Sequence, residues 1–166
     1  MKSKRKSKGA EEPSVVASFM EDTFIREVRV QYVPSTAPYF EIRKPEDVAT
    51  FIRQVMVDNS REQFFALYLN DAHNVVSYSL ISIGAANYAP VHPREVFQRA
   101  IISGAAAIVF AHNHPSEYLE PSSSDKHVTK LMIDCGKLLD IPVLDHVIVT
   151  NHECHSLKNN GGQLWW

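Results

Sequence analysis

The chain has 166 residues, 45% of them hydrophobic, enough for one domain with a proper core. Its formal charge of −2 is unevenly spread: Lys2, Lys4, Arg5, Lys6 and Lys8 precede Gly9 with no acid among them, and removing those five from the 17 basic residues leaves 12 against 19 acidic, a body near −7. Such a body suits duplex DNA poorly, because phosphates require clustered Lys and Arg; no run approaches the roughly 18 apolar residues of a membrane span, and no apolar leader segment follows the basic residues.

In chain order, residues 1–22 read as a basic, disordered tail that can touch nucleic acid only weakly. Glu27 to Val33 alternates as a strand, and Pro34 to Pro38 is a loop. Pro45 opens a helix in which Val48, Phe51, Ile52, Val55 and Met56 recur at three and four. Gln63 to Asn70 reads as a strand, Asp71 to Asn74 as a hairpin turn, and Val75 to Ile83 as the return strand. Pro93 begins a second helix with Val96, Phe97, Ala100 and Ile101 expected inward. Ala105 to Ala111 is apolar and β-branched, a buried strand.

After a loop, a helix beginning near Ser122 runs to about Leu139, with Val128, Leu131, Met132, Cys135, Leu138 and Leu139 expected on one stripe. Val143 to Thr150 is a further strand, and residues 159–166, ending in Trp165-Trp166, form a frayed tail. Helices and strands in this order, with an adjacent hairpin, predict an α+β arrangement in one domain over residues 23–158. Cys135 and Cys154 require no disulfide and fit a reducing cytoplasm. His152, Cys154 and His155 cluster in sequence, but no fourth ligand accompanies them.

The chemistry concentrates in His112-Asn113-His114-Pro115-Ser116 and in Asp125, eleven residues past His114. A catalytic zinc commonly takes three N or O ligands and leaves its fourth position to water. His-x-His suits a strand end, where side chains two apart share a face. Ser122 stands three residues before Asp125, where the next helix starts, so the carboxylate comes from a first helical turn facing a strand end. The reading is one Zn2+ held by His112, His114 and Asp125.

His-x-His, seven residues, Ser, two residues, Asp resembles the zinc signature of the JAMM (MPN-domain) metalloproteases. The wording HNHPS, preceded by Val91-His92-Pro93-Arg94-Glu95-Val96-Phe97 and followed by Asp145-His146-Val147-Ile148-Val149, resembles the RadC branch over roughly residues 44–157. RadC-like sequences usually carry Gly after HNHPS where this chain has Glu117, and full-length RadC proteins carry a helix-hairpin-helix region that is not present here. The resemblance implies an α+β fold with a mixed β-sheet flanked by helices, the two His and the Asp as ligands, and an upstream Glu acting on the zinc-bound water. Glu62, at the start of the strand through Leu69, matches that Glu; Glu117 and Glu120 are rival carboxylates near the ligands. Ser122 has two roles open to it, capping the helix in a box with Asp125 or, as the resemblance implies, steadying an oxyanion.

His146 is either a support for a ligand or a satisfied core histidine. His92 reads as a helix-start residue, His73 and His127 as surface, and Tyr118 as a substrate contact or a loop cover. No Gly-rich phosphate loop or nucleophile elbow occurs. The resulting expectation is a cytoplasmic zinc metallopeptidase acting on a peptide or isopeptide bond in a protein substrate. Two rival classes stand beside it: a DNA-repair or mobile-element accessory protein with a structural metal, and a metal-dependent nuclease, which the acidic body disfavours.

Overall fold

A computed structural model describes residues 39–84 and 91–160. The strand expected at Glu27–Val33, the loop at Pro34–Pro38, the boundary near residue 22 and the terminal tryptophans lie outside those residues. Helix α1, Pro45–Val55, starts where Pro45 needs no N–H partner and the Asp47 carboxylate receives the backbone N–H groups of Arg43 and Lys44 at 2.9 and 3.0 Å. Its Val48, Ala49, Phe51 and Ile52 are buried. Strands β1, Gln63–Leu69, and β2, Val75–Ile83, form the expected hairpin, and Asn70 Oδ1 holds its turn by accepting from Ala72 and Asn74 N–H.

Helix α2, Pro93–Ile102, is capped by His92, whose Nδ1 accepts from Arg94 N–H at 3.2 Å. Val96, Phe97 and Ala100 point inward as expected, but Ile101 is 60% exposed. Strand β3, Ala107–Asn113, runs two residues beyond the expected end at Ala111, so His112 is a strand residue. Helix α3, Ser123–Leu139, and β4, Val143–Val149, follow; β5, Cys154–Ser156, and the short α4, Leu157–Asn160, had no counterpart in the sequence reading.

The sheet order is β2-β1-β3-β4-β5, with β3 and β4 parallel and the other pairs antiparallel. Alternation along β1 and β3 splits their side chains between two cores. Phe65, Leu67, Val109 and Ala111 pack under α1; Phe64, Ala66, Ile108 and Phe110 pack under α2 and α3. The result is the α+β arrangement that the order of elements predicts, with the mixed sheet flanked by helices that the resemblance implies.

The inward stripe of α3 differs from the expected one. Thr129, Met132, Ile133 and Gly136 are buried, whereas Leu138 is 85% exposed and Leu131 and Leu139 are exposed. Gly136 explains part of the shift: a Cβ there would sit 2.6 Å from the Ile141 carbonyl oxygen, so the close return of the chain into β4 admits only glycine on that face. The β3–α3–β4 unit brings the N-terminus of α3 back over the carboxyl end of β3. In parallel β-α-β units that end of the sheet is where ligands gather.

Candidate metal centre

His112 occupies the face of β3 that packs toward α3, its ring stacked near Phe64 with centroids 6.1 Å apart. His114 follows directly, held beside β4 by its N–H bond to the Val149 carbonyl at 3.1 Å. Asp125 comes from the first turn of α3. The three side chains converge: His112 Nε2 is 2.8 Å from His114 Nε2 and 3.5 Å from Asp125 Oδ1, and His114 Nε2 is 3.9 Å from Asp125 Oδ2. Among the described residues they are the one His, Cys, Asp or Glu group placed to hold a metal ion, with donor atoms all within 4.8 Å. His152, Cys154 and His155 form no such group.

The donor set fits a divalent metal of zinc type: two imidazole nitrogens and one carboxylate oxygen, a three-ligand set that in such sites leaves the fourth position to water. Both imidazoles are buried, and Asp125 is half-buried. His114 Nδ1 meets the Tyr118 carbonyl oxygen, which can only accept, so the Nδ1 of the uncharged ring carries the proton and Nε2 is left bare toward the site. Burial pushes the pKa of His112 down to about 4, against the pull of the Asp125 carboxylate and with the help of His114. Burial likewise holds His146 well below the usual histidine value, with His112 and His114 acting in the same direction. The fold thus keeps His112 and His146 uncharged.

Asp125 is aimed by the helix cap. Its Oδ2 receives the Ser122 N–H at 2.8 Å and the Ser122 hydroxyl at 2.6 Å, while Ser122 Oγ accepts from Asp125 N–H at 3.1 Å. Local sequence dictates this reciprocal box, which satisfies otherwise orphaned N–H groups of α3 and turns Oδ1 toward His112. The capping role expected of Ser122 is therefore present.

Glu62 is exposed and immediately precedes β1. The β1–β3 ladder ends at the pair of Phe64 with His112, two residues after Glu62. Glu117 is engaged elsewhere: its carboxylate accepts from Asn151 Nδ2 at 2.6 Å and from Asn151 N–H at 3.2 Å. Its backbone is left-handed, φ 60°, at the position where RadC-like sequences usually carry Gly. Glu120 and Tyr118 are exposed, Tyr118 acting on the site through its carbonyl. His92 is the cap of α2, and His73 and His127 are exposed, as expected.

Two residues near the centre escaped the sequence reading. Thr129 is buried one helical turn after Asp125, and that i,i+4 spacing is the signal that places it on the site's face. Asn113 is buried between the two histidines and bonds to the segment around Glu62.

A mixed sheet with His-x-His at the carboxyl end of its central strand and an Asp on the first turn of the next helix defines a JAB/MPN-type domain. The RadC-like JAB domain family model matches residues 42–162, and the chain belongs to that family. It is 43% identical over 136 residues to UPF0758 proteins of Bacillus cereus (strain 03BB102) and Bacillus thuringiensis subsp. konkukian (strain 97-27). A UPF0758 protein of Bacillus mycoides (strain KBAB4) is 42% identical over 136 residues. These alignments cover 82% of this chain and 59% of each relative, so the chain spans less than two thirds of their length.

Proposed function

We propose that the chain is a zinc-dependent hydrolase of the JAMM type, cleaving a peptide or isopeptide bond in a protein substrate. The observation that carries this reading is the convergence of His112, His114 and Asp125, with two imidazole nitrogens 2.8 Å apart beside one carboxylate. When bound there, zinc supplies Lewis-acid polarisation and lowers the pKa of a water toward about 7.

Glu62 accepts a proton from the attacking water as the new C–O bond forms, and returns it to the leaving amine as the C–N bond then breaks. Its place two residues before Phe64, which pairs with His112, supports this role, as does the engagement of the rival Glu117 with Asn151. The Ser122 hydroxyl turns from Asp125 Oδ2 to the substrate oxyanion, while the Ser122 N–H keeps Asp125 in place. Asn113 and the cap residues pre-set these groups before substrate arrives.

The proposed setting is the cytoplasm. Cys135 and Cys154 are free thiols, and no helix among the described residues is long and apolar enough to cross a membrane. The basic residues before Gly9 give weak, salt-sensitive nucleic-acid contact, which a chain starting at Glu21 loses.

Elemental analysis of the purified protein should find about one zinc per chain. His112→Ala with His114→Ala should abolish it. Profiling against a peptide library should then find cleavage that a chelator removes and zinc restores. An accessory protein with a structural metal would hold the zinc and cleave nothing.

A further inference from the structure

His146 is fully buried beneath α3 and is not one of the converging donors. Its ring is walled by Phe64, centroids 5.1 Å apart, and by Phe110 at 6.1 Å. Neither of its nitrogens faces water. Nε2 lies 2.7 Å from His112 Nδ1, and Nδ1 meets the Thr129 hydroxyl. The same hydroxyl meets the backbone carbonyl oxygen of Asp125.

The proton positions along this chain follow from its far end. A carbonyl oxygen only accepts, so the Thr129 hydroxyl gives its one proton to Asp125. Thr129 Oγ1 is then left as an acceptor, and His146 must donate from Nδ1. An uncharged imidazole has one N–H, so His146 Nε2 is bare and accepts from His112 Nδ1–H. His112 Nε2 is consequently bare as well, and it is the nitrogen that faces His114 and Asp125. The Tyr118 carbonyl imposes the same form on His114. With both rings uncharged, two lone pairs meet at 2.8 Å, an arrangement that repels unless a cation lies against both.

We propose that His146 and Thr129 are positioning residues for the metal, acting as a one-way hydrogen-bond relay that runs from His112 to the backbone of Asp125. The relay locks His112 in the tautomer whose Nε2 can ligate. It also ties the strand that carries one ligand to the helix turn that carries another, through β4. The inference rests on the metal reading of His112, His114 and Asp125 and is independent of whether the site hydrolyses anything. His-to-His support of this kind differs from the usual carboxylate or carbonyl partner, and it adds no charge to the buried site.

Two measurements test it. Long-range proton–nitrogen correlation on metal-free wild-type protein at pH 7.5 should show His146 uncharged with its proton on Nδ1. A proton on Nε2 reverses the relay and overturns the proposal, and this arm needs no variant. Zinc affinity, read by competition with a chromophoric chelator, should fall by roughly 10–100-fold in Thr129→Val and in His146→Phe, which keep bulk but remove the polar links. His146→Gln, whose amide oxygen can accept from His112, should recover part of the loss, which a pure packing role would not produce. Variants that bind zinc as tightly as wild type would sink the relay and leave the metal reading intact. Wild-type protein that binds no zinc would sink both.

Discussion

Asn113 accepts the backbone N–H of Gln63 on its side-chain oxygen at 2.7 Å. Its Nδ2 donates to the Arg61 carbonyl at 3.0 Å and to Asn59 Oδ1 at 2.6 Å. The bonds to Gln63 and Arg61 fall on either side of Glu62, so the residue between the two candidate ligands clamps the segment that carries the proposed base. Asn113→Ala leaves the N–H of buried Gln63 without a partner, which costs about 1–3 kcal/mol of stability. Urea unfolding should show that loss while zinc content stays at wild-type level. Zinc loss in this variant would mean that Asn113 acts on the ligands rather than on the Glu62 segment.

Glu62→Gln should keep zinc and fold but lose turnover by about 10²–10⁴-fold, mainly in kcat, because the amide cannot accept a proton at neutral pH. Glu117→Gln and Glu120→Gln should retain most activity. For Glu117 the reason is visible, since its carboxylate is committed to Asn151. An active Glu62→Gln enzyme beside an inactive Glu120→Gln enzyme would move the base into the ligand loop.

Metal-free protein should be acid-sensitive in a defined window. The pKa of His112 is depressed to about 4 in the fold, and that of His146 is depressed as well, so the unfolded chain takes up these protons first. Stability is then complete above the ordinary histidine pKa near 6.5 and falls as pH drops from there toward 4. Thermal melts from pH 7.5 to 4.5 should record a falling Tm, above the range where carboxylates dominate. His112→Gln should flatten part of the slope; an unchanged slope would mean that other groups supply it.

Glu117 offers a test of the ligand loop. Left-handed backbone costs a residue with a Cβ about 1–2 kcal/mol, which glycine avoids. Glu117→Gly and Glu117→Ala both lose the Asn151 bonds, but only glycine relieves the strain. The Gly variant should therefore be about 1 kcal/mol more stable than the Ala variant in urea unfolding. Equal stabilities would show that the loop does not hold φ near 60° at this position.

The convergence of His112, His114 and Asp125 was legible in the sequence because its parts are set by local rules. Period-two alternation carries His112 and His114 to one side at a strand end, and the Ser122 to Asp125 spacing is a helix cap whatever surrounds it. The hairpin through Asp71–Asn74 and the start of α1 at Pro45 are local in the same sense.

Apolar periodicity showed that α2 and α3 have buried faces, but it could not say which apolar residues the sheet covers. Ile101, four residues past buried Phe97, stays exposed, as does Leu138, while Gly136 takes the close approach to Ile141. The relay and the clamp depend on pairings that no local pattern encodes. His112 meets His146 across 34 residues through the parallel register of β3 and β4, and Asn113 meets Gln63 across 50 residues through the antiparallel register of β1 and β3. Residue type and spacing determined what could bind a metal. Strand order and register, settled by burying both sheet faces at once, decided which buried groups orient it.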